Sequence, residues 1–204
     1  MTSSPGAEEQ KRPGVLHLGN IHLRPLRAGD EASQFAYLTD PAVIEHTSIP
    51  AQTLDSVTAS VTRDIAAHAA GTSFRLALAD HEDRQIGVCG LNNWSPAHKH
   101  GELAYELEPA AWGRGYMRRA VHALLAWAFS ELGLNRVHAF VMTSNERSIR
   151  LLEQSGFTRE GTLRQFRLAR GVPRDFHVYS ILASEFRRAS SGPEPLTWTA
   201  NKAG

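Results

Sequence analysis

Apolar positions in this chain alternate between two periods, and the changes of period mark its elements. Leu103, Tyr105 and Leu107 alternate with Ala104, Glu106 and Glu108, the pattern of a strand with two unlike faces. Pro109 stops it. Gly113 and Gly115 bracket Arg114, and from Met117 the apolar residues fall at Ala120, Val121, Leu124, Leu125, Ala128 and Leu132, the three-and-four spacing of one buried helix face. A helix that opens out of a glycine turn presents bare backbone amides and the positive end of its dipole, which favour a phosphate or pyrophosphate. Glycine also lets the backbone approach such oxygens closely. A plain strand-to-helix connection has the same local pattern, so the rest of the chain has to decide between the two.

The same reasoning predicts the remaining elements. Ile21, Leu23 and Leu26 make a first strand, with Pro25 placing it at a sheet edge. Asp30 reads as the N-cap of a helix carrying Phe35 and Leu38, and a second helix runs from about Leu54 to Ala70, stopped by Gly71. Ile44 to Thr53 between them is loop-like. Phe74 to Ala79 and Gln85 to Leu91 form a hairpin, and a polar loop, Asn92 to His100, leads back to the strand at Leu103. Beyond the long helix come a strand over Arg136 to Met142 and a short helix from Asn145 to Ser155 closed by Gly156. An antiparallel pair, Phe166 to Leu168 with Phe176 to Leu182, turns at Gly171, Val172 and Pro173. Residues 1–18 read as a flexible leader, 19–187 as one domain and 188–204 as a flexible tail.

Composition narrows the class. The 204 residues, 42% apolar, suit one domain with a full core. A lone cysteine, Cys89, excludes an internal disulfide framework and fits a reducing cytoplasm, the expected location. No apolar run suggests a membrane span. The net charge of +1 conceals an asymmetry: residues 1–113 hold 8 Lys and Arg against 14 Asp and Glu, whereas residues 114–188 hold 13 against 6. The basic portion begins at the glycine turn, a bias suited to steering an anionic ligand.

The ordered set Trp112-Gly113-Arg114-Gly115-Tyr116-Met117, Asn145 with Ser148, Gly156-Phe157, Glu160-Gly161 with Leu163-Arg164, and Gly171, Asp175, Tyr179, Ser180 and Leu182 resembles the GNAT superfamily of acetyl-CoA-dependent N-acetyltransferases. It is most similar to the RimJ/RimL-type branch, which acetylates ribosomal-protein N-termini. The likeness covers about residues 20–185. It implies an α/β (α+β) fold: a mixed, mostly antiparallel sheet flanked by about four helices and splayed open after the strand that ends near Leu107. It also implies acetyl-CoA as co-substrate. The pantetheine arm would pair with the backbone of Leu103, Tyr105 and Leu107. The pyrophosphate would rest on the amides of Trp112, Gly113, Arg114, Gly115 and Tyr116, with Met117 and Arg118 next to them, and Asn145 would hold the pantetheine. The phosphate-loop pattern of the family opens on Gln or Arg, where this chain has Ala110; Arg114 and Arg118 or Arg119 are candidates to compensate.

Acetyl transfer to an amine needs a neutral nucleophile, oxyanion contacts and a proton for the departing thiolate. Glu106 is the candidate general base, although a surface glutamate on a half-exposed strand reads the same way. Some related proteins carry an acidic residue where this chain has Arg167. The helix tyrosine that serves as general acid in many GNAT enzymes is replaced by Leu152, and the resemblance to the ribosomal-type branch offers Ser148 instead. His98 and His100 flank Lys99 without a third ligand, so no metal site is expected. The expected acceptor is a protein or peptide N-terminal amine, attacked directly in a ternary complex. The alternatives are a small-molecule amine, such as a polyamine or antibiotic, and a non-catalytic acyl-CoA-binding module. No direct nucleic-acid or membrane partner is expected, and the chain is expected to be a monomer or homodimer.

Overall fold

The computed structural model describes residues 12–189. Its eight strands are β1 (Leu16–His17), β2 (Ile21–Pro25), β3 (Phe74–Asp80), β4 (Gln85–Ser95), β5 (His100–Leu107), β6 (Arg136–Met142), β7 (Thr158–Ala169) and β8 (Val172–Leu182). They form one sheet in the order β1-β2-β3-β4-β5-β6-β8-β7, antiparallel except between β5 and β6. Six helices lie among the described residues: α1 (Asp30–Leu38), α2 (Pro41–Ile44), α3 (Leu54–Ala70), α4 (Tyr116–Ser130), α5 (Glu146–Gln154) and α6 (Ala183–Ala189). The mixed, mostly antiparallel α/β class is as expected. The two helices beyond the four expected are the short α2 and α6.

Both faces of the central strands are covered, so side-chain alternation there sorts residues between two cores rather than between core and solvent. Phe74, Leu76, Leu78, Cys89 and Leu91 join α4 residues Ala120, Val121, Leu124 and Leu125 in the main core. Ala77 and Val88, one step along the same strands, pack with Leu26 and Ile65. Burying a leucine such as Leu124 completely contributes about 1.5–3 kcal/mol.

Several local expectations are corrected. Strand β1 pairs with β2, and Leu16 and Leu18 are buried, so the leader read over residues 1–18 is too long; residues 1–11 and 190–204 lie outside the described residues. Leu16 and Leu18 alternate over only two apolar positions, too few to announce a strand. Asp30 is the first residue of α1 rather than its cap. The cap is Gly29 at φ 101°, and the buried Asp30 carboxylate instead takes two 2.8 Å hydrogen bonds from Arg24. The burial of Arg24 demanded a carboxylate partner, which outweighs a cap. Asp40 caps α2, which occupies the approach to the loop, and β4 runs on through Ser95 into the segment read as loop. Helix α3 has the bounds read from its periodicity, opened by a reciprocal Thr53–Ser56 capping box and ended by Gly71 at φ 68°.

Strands β5 and β6 pair only at His100↔Arg136, Gly101↔Val137 and Glu102↔His138. Beyond that point β6 stays with β8 as far as Met142, whereas β5 remains with β4 as far as Leu107. The splay therefore lies between β5 and β6, as expected, and begins inside β5 at Leu103. Each strand keeps its antiparallel partner, and the parallel ladder between them is the one that yields.

Candidate active site

The gap left by the parting strands is a cleft of about 450 Å³. Its floor is the second half of β5, one wall is the turn leading into α4, the other wall is the start of α5, and α2 with the following loop closes one end.

At the turn, Gly113 and Gly115 adopt φ 75° and 70°, and a Cβ at either would meet nothing within 4 Å. Gly115 is the cap of α4 and supplies no side-chain oxygen. The first internal bond of the helix runs from the Arg119 amide to the Gly115 carbonyl. Among the described residues the amides of Tyr116, Met117 and Arg118 therefore have no acceptor, which is the usual state of a first helical turn awaiting an anion. The first turn of α4 holds no acidic residue and instead carries Arg118 and Arg119, an arrangement unfavourable to the helix dipole until a negative group arrives. A pyrophosphate fits these residues.

The two arginines divide. Arg118 lines the cleft, whereas Arg119 donates to the Leu18 carbonyl at 2.7 Å and to Asn20 at 3.1 Å. Of the two, only Arg118 is placed to compensate for Ala110. Arg114 is exposed and outside the cleft lining, and its hydrogen bond, with a second from Asn20, holds the Tyr116 phenol below its ordinary value. The Trp112 indole donates to the Leu107 carbonyl at 2.9 Å, tying the turn to the end of β5. Arg147 stacks 3.4 Å from the centre of the Trp112 ring and adds a cation that pattern reading missed.

Tyr105, Leu107, Trp112, Tyr116 and Met117 contribute side chains to the cleft, and Asn145 and Ser148 face them from α5. Leu103 lies in the main core, 4% exposed, so only its backbone edge is available to a ligand. Asn145 caps α5 by accepting from the Ser148 amide at 3.0 Å, and its amide group donates to the His46 carbonyl at 3.1 Å. One side chain thus ties the helix to the loop that ends the cleft.

The Tyr105 and Ser148 hydroxyls lie 2.5 Å apart. Burial pushes the tyrosine pKa upward, and the serine hydrogen bond draws it partly back. Leu152, which stands where the family places its helix tyrosine, is fully buried. A phenol nevertheless reaches this region, delivered by β5. The separation of 43 positions between the partners leaves no local pattern by which the pair is found.

Glu106 lies on the other face of β5. Both its oxygens accept from Arg75 Nη2 at 2.9 Å, and Arg75 Nε lies 3.3 Å from Asp64 on α3. The Glu106 charge raises the Arg75 pKa, and burial raises that of Asp64. The expected general base is thus half of a buried ion pair, its oxygens already facing a guanidinium, and it is not a free proton acceptor. Arg167, at the position acidic in some relatives, bonds Glu102 at 3.3 Å and lies over the rings of Phe140, Phe166 and Phe176. Cys89 is buried, which pushes its thiol pKa well up. Among the described residues no group of three or more metal-ligating side chains occurs, and no helix is long and apolar enough to cross a membrane.

A sheet parted beside an amide-lined turn defines the acetyltransferase class that binds a nucleotide thioester. The pattern of an acetyltransferase (GNAT) domain matches residues 20–158, and the chain belongs to that family. It is an N-acetyltransferase, with acetyl-CoA as co-substrate. An uncharacterized N-acetyltransferase of Bacillus subtilis is 28% identical over 170 residues, 82% of this chain and 96% of that protein. The fold is similar to a ribosomal-protein-S5-alanine acetyltransferase from Vibrio fischeri, with a TM-score of 0.76 at 21% identity over 84% of this chain and 98% of that one. It is similar also to spermidine N-acetyltransferase from Vibrio cholerae in complex with CoA and spermine, with a TM-score of 0.73 at 21% identity over 82% and 98%.

Proposed function

We propose that this enzyme acetylates the N-terminal amine of a protein or peptide, by direct attack on acetyl-CoA in a ternary complex. The observation that carries this reading is the charge of the cleft. Its charged lining is Arg118, Arg147 and Arg150 with a single carboxylate, Glu106, which Arg75 already neutralises. The tip of the β7–β8 hairpin adds one more cation beside the loop after α2, Arg170, which bonds the carbonyls of Ile44, Glu45 and Thr47. A polyamine needs several carboxylates at its subsite, whereas a peptide brings one ammonium and a neutral backbone. Likeness to the ribosomal-protein-S5-alanine acetyltransferase of Vibrio fischeri supports this choice, and likeness to the spermidine enzyme supports the alternative.

Bound acetyl-CoA supplies an activated acyl carbon and a thiolate leaving group. The roles of the chain follow from position. The edge of β5 left bare by β6 aligns the arm. The turn amides with Arg118 take the pyrophosphate, Asn145 fixes the far wall, and the Ser148–Tyr105 pair holds the proton for the thiolate. Thiol release measured with N-terminal peptides, spermidine and aminoglycosides tests the acceptor. The expected result is a kcat/KM for some peptides at least about tenfold above spermidine, or ~1.4 kcal/mol. Activity confined to polyamines overturns the peptide reading.

A further inference from the structure

His46, on the loop after α2, lines the same cleft as Tyr105, Glu106 and Ser148. Its Nδ1 is buried and has no hydrogen-bond partner, a state that costs free energy in the resting protein. The loop that carries it is held on two sides. Asn145 donates to the His46 carbonyl at 3.1 Å, and the Arg170 guanidinium reaches the carbonyls of Ile44, of Glu45 at 3.2 Å and of Thr47 at 3.4 Å. Three successive bonds, His46 to Asn145, Asn145 to Ser148 and Ser148 to Tyr105, connect this loop to the hydroxyl pair.

We propose, on the basis of acetyl transfer at this cleft, that His46 is the proton acceptor for the incoming amine. The acceptor ammonium gives one proton to the neutral imidazole, and the freed lone pair forms the C–N bond to the acetyl carbon. The C–S bond breaks with its electron pair on sulfur. The second amine proton reaches the thiolate through Ser148 and Tyr105, and the imidazolium returns its proton to water. Three observations support the assignment. His46, on the loop after α2, lines the cleft together with Tyr105 and Ser148. Glu106, the other basic group lining the cleft, is bound to Arg75. The charged groups facing this space are Glu106 from β5, Arg118 from α4, Arg147 and Arg150 from α5 and Arg170 from the hairpin, and none of them bonds the imidazole. An imidazole changes charge in the range where an amine has to be deprotonated.

Two measurements on the full chain test this. In imidazole NMR spectra, with the His46 signal assigned by its loss in His46→Gln, saturating acetyl-CoA is expected to shift that signal and leave those of His98 and His177 in place. In peptide acetylation, His46→Gln is expected to lower kcat/KM by about 10²-fold. The same variant should flatten the acid limb of the pH profile between about pH 5 and 8 while leaving calorimetric acetyl-CoA affinity unchanged. An unmoved His46 signal with acetyl-CoA bound, or a retained acid limb in the variant, overturns the proposal while leaving the cofactor reading intact. Failure of the parent chain to bind acetyl-CoA overturns both.

Discussion

The two edges of β5 behave differently although one strand supplies both. Toward β4 the ladder runs from Gly87↔Leu107 through Asn92↔Glu102 to Ser95↔His100, with a bulge near its end. Toward β6 it lasts three residues. On the paired side, glycine allows unusually close contact: a Cβ at Gly87 would lie 2.4 Å from the Glu106 carbonyl oxygen, and in the adjoining β3–β4 ladder one at Gly90 would lie 2.4 Å from that of Phe74. On the open side, backbone groups are left for a ligand, and the gap is bridged by side chains, Tyr105 to Ser148 and Trp112 to the end of β5. The site is an interruption of the sheet, made affordable because the neighbouring ladder is tight and covered on both faces.

That contrast can be broken most strongly from the closed side. Arg75→Met strands Glu106 and Asp64 together in a buried space, and a loss of about 3–5 kcal/mol in urea unfolding is expected. Gly90→Ala forces β3 away from β4 and is expected to cost about 1–3 kcal/mol by the same measurement. A loss below that range would show that the ladder has slack. On the open side, Ser148→Ala leaves the Tyr105 hydroxyl without its short partner. The expected stability change is about 1–2 kcal/mol, accompanied by a larger fall in kcat than in 1/KM, and Tyr105→Phe should reproduce the kinetic effect.

The smallest effect expected is one of pH. Hydrogen bonds from Arg136 first, and then from Ser180, hold the Glu160 pKa at about 2, against an ordinary 4.5. A depressed carboxylate contributes stability that is fully present above its ordinary value and is lost as pH falls toward about 2. Glu160 is 41% exposed, so solvent screens most of this contribution. Glu160→Gln should therefore remove only a slight part of the acid sensitivity between those values, read from unfolding midpoints. A large change would mean that the outer strands β6, β8 and β7 are pinned by this ion pair rather than by packing.

The sequence by itself determined what neighbouring residues settle between themselves. Alternation placed β5 and β6, the three-and-four spacing placed α3 and α4, and left-handed glycines at Gly71, Gly113, Gly115 and Gly156 marked turns and ends, because sterics and backbone hydrogen bonds act over a few residues. The amide-lined turn was legible for the same reason. Only the tertiary structure decided which residues meet across elements. Arg75 lies 31 residues from Glu106 and converts a candidate base into an ion pair, Ser148 finds a phenol 43 residues away, and His46 becomes part of the cleft through Asn145, 99 residues on. Those contacts depend on which strand face and which loop the topology brings together, and no short-range pattern records that choice.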